Sequence, residues 1–446
     1  MSRSVVTAIS DRWESALVTT VERGTDARIA RRCPDLADLL AVAGSGLAEV
    51  ALVSADLRSL DRTALDHLRE CAVTVVGVYP PGDETAQRHL LQLGIATTIP
   101  ADASAEVIQE ALDGLDAPTA QAGSVPGRLP QGLGSADAGG LTGPSSAAYG
   151  VLRLGGPSQA GTQGDPGGDA TPGVIIAVWG PAGAPGRTTV ALNLASELAR
   201  LGKPTVLVDA DTYGGCIAQA LSLLDEAPGL AAATRSADQG SLDLAALARL
   251  APEVSPGLRV LTGIPKAERW PELRAAALEH VLTLTRRLAR FTVVDCGFSL
   301  EDDEELSYDT LAPRRNAATL TSLAVADQVL AVGAGDPIGL QRLVRGLQEL
   351  GTVASPSPTV VINRVRSSAV GPRPESRIRD ALTRFAGIDD PRFIPDDPAT
   401  LDGALLAGQS LAEAAPDSEL RKTLVLLARE ICGEPAGHTG RRRKGA

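Results

Sequence analysis

The sequence predicts an α/β protein built on two doubly wound, mostly parallel sheets. Three observations carry this. Short apolar runs alternate with amphipathic stretches over residues 4–115, and the alternation resumes at Val174 and continues to the C-terminal region, the pattern of βα units feeding parallel strands. The runs are continuous, as in Val174-Ile175-Ile176-Ala177-Val178, which suits strands covered on both faces. Between the two blocks, Ala117 to Pro172 is dense in Gly, Pro, Ser, Ala and Gln with no periodic apolar pattern. Such a stretch cannot bury enough surface to offset the entropy of ordering it and reads as a flexible linker. The expected domains are 1–115, a linker over 116–172, a second domain over 173–433 and a basic tail over 434–446.

In the first domain, Val5–Ile9 is the first strand and Ser10–Thr20 a helix with Ser10 as N-cap. Strands are expected at Arg28–Arg32, Val50–Val53, Val73–Tyr79 and Ala96–Ile99, with helices at Asp35–Ala43, Leu60–Cys71, Asp83–Leu93 and Ser104–Leu115. Five such repeats resemble a response-regulator receiver domain, a flavodoxin-like sheet. The receiver's chemistry is not matched. Ser54 stands where a phospho-acceptor Asp would end the third strand, with Asp56 offset; only Asp11 remains of the acidic pair; and Ile99-Pro100 replaces Lys-Pro. Without clustered carboxylates there is no Mg²⁺ site, so the resemblance implies a pseudo-receiver that docks partners.

In the second domain, helices are expected at Thr188–Leu201, Leu242–Leu250, Leu273–Ala289, Ile338–Leu350, Pro398–Leu406 and Glu419–Ile431. Strands are expected at Val174–Val178, Thr205–Val208, Leu258–Leu261, Phe291–Val294, Val329–Val332 and Thr359–Ile362. Val178, Val208, Val294 and Ile362 each end a strand before Gly, Asp or Asn, so the chemistry-bearing residues converge on one edge, where such sheets bind ligands.

The composition narrows the class. The chain has 446 residues, enough for two or three domains, with 44% apolar and 22% charged residues, as in soluble globular proteins. A net charge of −12 argues against a nucleic-acid coat. The five cysteines are scattered without C-x-x-C spacing and read as small core residues in a reducing cytosol. No apolar run approaches the roughly 18–20 residues that span a bilayer, and charges come too early for a signal peptide. His67, His89, His280 and His438 lack metal-ligand spacing. Arg441 to Lys444 is basic but has no apolar stripe for membrane insertion. A cytoplasmic protein, peripheral to a membrane at most, is expected.

The chain's chemistry centres on Val174 to Thr189, VIIAVWGPAGAPGRTT: a buried strand, a Gly/Pro-rich loop, and a helix opening on Arg187-Thr188-Thr189. Gly180, Gly183 and Gly186 let backbone turn and approach a ligand closely, and the helix's free N–H groups suit an anion. The loop departs from G-x-x-x-x-G-K-[ST]. It resembles the deviant K-G-G-x-G-K-T-T loop of the MinD/ParA family over Ala182, Gly183, Ala184, Pro185, Gly186, Arg187, Thr188 and Thr189, and the resemblance extends over 174–432. Val206-Leu207-Val208-Asp209-Ala210-Asp211 looks like that family's D-x-D segment, Val293-Val294-Asp295-Cys296-Gly297 like its Walker B strand, and Val361-Ile362-Asn363-Arg364 like its adenine-recognising Asn-Arg. Ile394-Pro395-Asp396-Asp397-Pro398 resembles the segment flanking the base.

By that resemblance ATP and Mg²⁺ are the cofactors. Gly183, Ala184, Pro185, Gly186, Arg187, Thr188, Thr189, Asn363 and Arg364 bind nucleotide, Thr188, Asp209 and Asp295 serve the metal, and the catalytic residues are Asp211, which positions the attacking water, and Arg187, which stands in the lysine position. Arg187 keeps the charge on a larger, differently aimed fork, whereas Ala182 removes the lysine that in the family crosses a dimer interface. Arg314 and Arg315 are candidates to replace it; a solvated charged loop is the alternative. The layout of pseudo-receiver, linker and MinD/ParA-type domain resembles the CpaE/TadZ branch, which localises Flp/Tad pilus assembly at cell poles. It implies a homodimer with pilus, secretion or polarity proteins as partners, and slow or absent ATP hydrolysis. An active ATPase switch in septum placement or chromosome partition, and a non-enzymatic scaffold, stay open.

Overall fold

Both blocks of βα units form parallel sheets. The computed structural model describes residues 3–58, 60–116, 172–183, 185–223, 228–302 and 313–434. The expected linker and basic tail lie outside these apart from their edge residues, as does Ala184 of the loop.

The first sheet contains β1 (Arg3–Ala8), β2 (Ala27–Arg32), β3 (Val50–Ser54), β4 (Thr74–Tyr79) and β5 (Thr97–Pro100) in the order 2-1-3-4-5, all parallel. That is the order of flavodoxin-like sheets. Helices α1 (Asp11–Gly24), α2 (Leu36–Gly44), α3 (Arg62–Glu70), α4 (Glu84–Leu93) and α5 (Ala105–Asp113) alternate with the strands. Asp35, Asp61, Asp83 and Ser104 cap α2 to α5 by accepting first-turn N–H groups. Ser10 occupies the N-cap of α1 but its side chain makes no capping bond. Ser54 ends β3, and its hydroxyl donates to the Asp56 carboxylate.

The second sheet has eight strands: β6 (Val174–Trp179), β7 (Thr205–Ala210), β8 (Glu253–Ser255), β9 (Leu258–Leu261), β10 (Phe291–Cys296), β11 (Gln328–Ala334), β12 (Pro358–Val365) and β13 (Arg392–Pro395). Their order is 13-12-11-6-10-7-9-8, parallel except for the β8–β9 pair. Helices α6 (Arg187–Arg200), α7 (Ile217–Ala220), α8 (Gly229–Asp238), α9 (Leu244–Leu250), α10 (Ala275–Leu288), α11 (Ala317–Val325), α12 (Pro337–Leu350), α13 (Ser367–Val370), α14 (Pro374–Ala386), α15 (Pro398–Ala407), α16 (Leu411–Ala414) and α17 (Glu419–Ile431) complete the domain. One apolar cluster joins β6, β7 and β10 to α8 and α10, and a second joins the other sheet face to α6 and α17.

The strands run further than their apolar runs. β7 and β10 continue to Ala210 and Cys296 rather than stopping at Val208 and Val294, because parallel pairing extends to Asp295↔Asp209 and Cys296↔Ala210. Pairing likewise carries β6 to Trp179, and β12 extends to Val365. Asp209 and Asp295 are therefore register partners on neighbouring strands, with side chains on one face of the sheet.

The two sheets share one compact unit. α3 packs on α10 and α8. Across this seam Arg62 Nε donates to the Ala237 carbonyl at 3.0 Å, and Arg274 Nη1 to Asp61 Oδ2 at 2.7 Å.

Candidate functional site

The loop from Gly180 to Gly186 joins β6 to α6. Gly183 and Gly186 have φ of +106° and +98°, the left-handed region that L side chains rarely adopt. A Cβ on Gly186 would lie 2.2 Å from Asn363 Nδ2, so glycine is required here on both counts. Gly186 leaves the first turn of α6 without a side-chain cap, and its N–H groups are open to an acceptor.

Arg187, the first residue of α6, folds back under this loop. Its Nη1 donates to the carbonyls of Gly180 and Pro181, each at 3.2 Å, and its Nε to the Cys296 carbonyl at 3.1 Å. Its Nη2 pairs with Asp211 Oδ2 at 3.2 Å. A lysine has one nitrogen and could not reach these groups together.

The three expected carboxylates converge below the loop. Asp211 Oδ1 accepts the N–H groups of Tyr213 and Gly214. Asp209 is buried and accepts from Asp211 N and Ile217 N. Gly215 and Gly263 press close to it; a Cβ on Gly263 would lie 2.7 Å from Asp209 Cγ. Asp295 is fully buried, and neither of its oxygens has a hydrogen-bond partner. Burial, and then the charge of Asp209, push the Asp295 carboxyl well above the usual range; the nearby Thr188 hydroxyl opposes this in part without reaching hydrogen-bond geometry. Burial likewise raises Asp209, its backbone donors opposing and Asp211 adding to the rise. Two facing buried carboxylates with one wholly orphaned fit a cation. Among the described residues no cluster of three His, Cys, Asp or Glu could hold a metal. Mg²⁺ on a nucleotide needs only one or two carboxylates, with phosphate and water completing its shell, so Asp295, Asp209 and Thr188 fit it.

On the other side of the α6 N-terminus lies a cavity of about 680 Å³ lined by Thr188, Thr189, Cys216, Arg364, Asp396 and Pro398, among others. Its size suits a small-molecule ligand. Arg364 reaches it from the end of β12 with φ +57°. Asn363 is not among its lining residues. It is buried behind the loop and donates Nδ2 to the Pro185 carbonyl at 2.9 Å. A larger cavity of about 1130 Å³ beside α12 and α14 contains none of the expected site residues.

Arg314 and Arg315 do not reach the loop. Arg314 pairs with Asp302, whereas Arg315 donates to Thr212 Oγ1 at 2.8 Å and lies 3.8 Å from the centre of the Tyr213 ring. Tyr213 in turn donates its hydroxyl to Asn316 Oδ1. This clamp on the segment following Asp211 joins residues 103 apart in the chain, so local sequence carries no signal for it.

The CobQ/CobB/MinD/ParA nucleotide binding domain matches residues 176–403, just over half of the chain. Among solved structures the chain is similar to the cell division ATPase MinD of Pyrococcus furiosus, with 20% identity, a TM-score of 0.46 and coverage of 58% of this chain and 99% of that one. It is also similar to a ParA family ATPase from Chlorobium tepidum, with 20% identity, a TM-score of 0.49 and coverage of 57% and 98%. A third is the septum site-determining protein MinD from Pyrococcus horikoshii complexed with Mg-ADP, with 20% identity, a TM-score of 0.45 and coverage of 58% and 95%. No curated protein matches. With the phosphate-type loop, its carboxylates and this domain match together, the chain belongs to the CobQ/CobB/MinD/ParA nucleotide-binding domain family.

Proposed function

We propose that this protein binds ATP with Mg²⁺ and acts as a MinD/ParA-like localisation protein that positions a cell-envelope machine such as a Flp/Tad pilus, with slow or absent hydrolysis. The observation that carries the nucleotide reading is the orphaned, fully buried Asp295 carboxylate facing Asp209 beneath the loop. When bound, Mg²⁺ would offset phosphate charge there. The chain's own groups do the rest. The first turn of α6 receives phosphate, Thr188 and Asp295 hold the cation's side, and the cavity with Arg364, Asp396 and Pro398 receives the nucleoside.

Slow turnover is supported by two features. Asp211, the residue proposed to position water, has Oδ2 paired to Arg187 and Oδ1 committed to two backbone N–H groups. Ala182 brings no cation to the loop. The first sheet, with Ser54 at the end of β3, supports a pseudo-receiver that docks partners instead of accepting phosphate. Polar localisation, the homodimer and the pilus or secretion partners rest on the CpaE/TadZ-like layout. Among the described residues no helix is long and apolar enough to cross a membrane, in keeping with a cytoplasmic or peripheral protein.

The test is titration of the full chain with labelled ATP and Mg²⁺, followed by phosphate release. Mg²⁺-dependent binding with little release is expected. No binding would leave the scaffold reading, and brisk release would favour the ATPase switch.

A further inference from the structure

We propose that Arg342 of α12 supplies the contact that distinguishes a triphosphate from a diphosphate at this loop; the inference rests on the nucleotide reading above. A Cβ placed on Gly183 would lie 2.1 Å from Arg342 Nη1 and 3.2 Å from its Cζ. The guanidinium therefore lies over the loop in the space a side chain at 183 would take. Arg342 is exposed and has no hydrogen bond or ion pair among the described residues.

The contrast with Arg187 is direct. Four N–H···O contacts commit Arg187 to three loop and strand carbonyls and to Asp211, leaving it little to offer an incoming phosphate. Ala182 offers nothing. Arg342 keeps a planar fork of donors open at the loop, a geometry that matches two oxygens of one phosphoryl group.

Helix packing fixes where that fork points. Asp336 caps α12, accepting from Ile338 N and Gly339 N. Leu343 is fully buried, and a Cβ on Gly333 of β11 would lie 2.5 Å from it. Gly346 lies against Trp179 and Pro181, where a Cβ would meet Trp179 at 2.9 Å. Arg342, four residues before Gly346, shares its helix face and so lands one step along the loop, at Gly183.

The position along the ligand follows from the cavities on either side of the loop. The 680 Å³ cavity lies at Thr188, Thr189 and Arg364. A second, of about 270 Å³, is lined by Pro181, Ala182, Arg342, Arg345, Glu301 and Glu349, among others. The two share no lining residue. A nucleoside in the first cavity sends its phosphates across the loop, and Arg342 stands at the far end.

The experiment measures Mg-ATP and Mg-ADP affinity for the full chain, Arg342→Ala and Arg342→Lys, with thermal melting to verify folding. Arg342→Ala should weaken ATP by about 10–100-fold, the loss of a charge-assisted contact, and leave ADP within about twofold. Arg342→Lys should fall between, keeping charge but not the fork. Equal losses for both nucleotides, or none, would overturn the inference while leaving the nucleotide reading intact. A wild-type chain that binds neither nucleotide would overturn both.

Discussion

Arg187 Nη2 and Asp211 Oδ2 form an ion pair 3.2 Å apart, with side chains only 10% and 6% exposed. The pair ties the first residue of α6 to the end of the D-x-D segment, and the same guanidinium ties both to Gly180, Pro181 and Cys296. Removing one member of a buried pair leaves the other charged and uncompensated. Arg187→Ala should therefore cost about 3 kcal/mol, read as a lower urea midpoint at unchanged slope. Arg187→Lys should lie between, since it restores charge to Asp211 without the carbonyl contacts. An Arg187→Ala protein as stable as wild type would show that the pair contributes nothing.

Asp295 predicts the opposite sign. Its folded pKa is raised, so its contribution favours folding below the unfolded value near 3.8 and turns unfavourable as pH rises. Asp295→Asn should raise the melting temperature of the ligand-free protein at pH 8 by about 2–4 °C, the shift about 1 kcal/mol gives in a domain of this size. The gain should shrink toward pH 5. The same variant should lose at least about tenfold in the Mg²⁺-dependent part of ATP affinity. Stabilisation with undiminished Mg²⁺ dependence would remove Asp295 from the cation site.

What could be read from sequence divides along physical lines. Central strands such as β6 and β7 are continuous apolar runs because helices cover both faces, and each was visible. The outer strands of the second sheet carry no such signal: Glu253–Ser255 and Arg392–Pro395 are too short to show a period. Helix α14 shows little apolar period because only Ile378 and Leu382 of it are buried. Asp209 and Asp295 were recognisable from their motifs, but their facing register depends on pairing between strands far apart in the chain. Arg315 on Tyr213 and Arg342 at Gly183 are long-range side-chain contacts, for which local sequence holds no signal.

Asn363 illustrates the same limit and gives a third prediction. Its Nδ2 is used on the Pro185 carbonyl, behind the loop. A side chain that braces the loop shapes the phosphate site for every nucleotide, whereas one that reads the base separates ATP from GTP. Asn363→Ala should weaken ATP and GTP together, by about tenfold for one buried hydrogen bond and its unsatisfied carbonyl. Loss of ATP preference with GTP affinity unchanged would return Asn363 to the base.

The seam between the two sheets carries the fourth. Asp238 ends α8 and faces Asp61 at the N-cap of α3, Arg274 before α10, and Arg62 on α3. Burial, with the charge of Asp61 adding and the two arginines opposing, raises its carboxyl to about 6 from 3.8. The contribution is thus fully present below about pH 4 and is lost as pH rises through about 6. His280 on α10 works the other way. Burial and then Arg62 lower it to about 4 from 6.5, so its share is present above 6.5 and is lost as pH falls toward 4. Asp238→Asn removes the first effect and keeps the second, which cancels in a comparison with wild type. The melting temperature of Asp238→Asn minus that of wild type should therefore climb by about 2–4 °C between pH 4 and pH 7 and level off beyond. A difference that stays flat across that range would mean that Asp238 ionises freely in the folded protein, and that the α3–α8 contact opens to water.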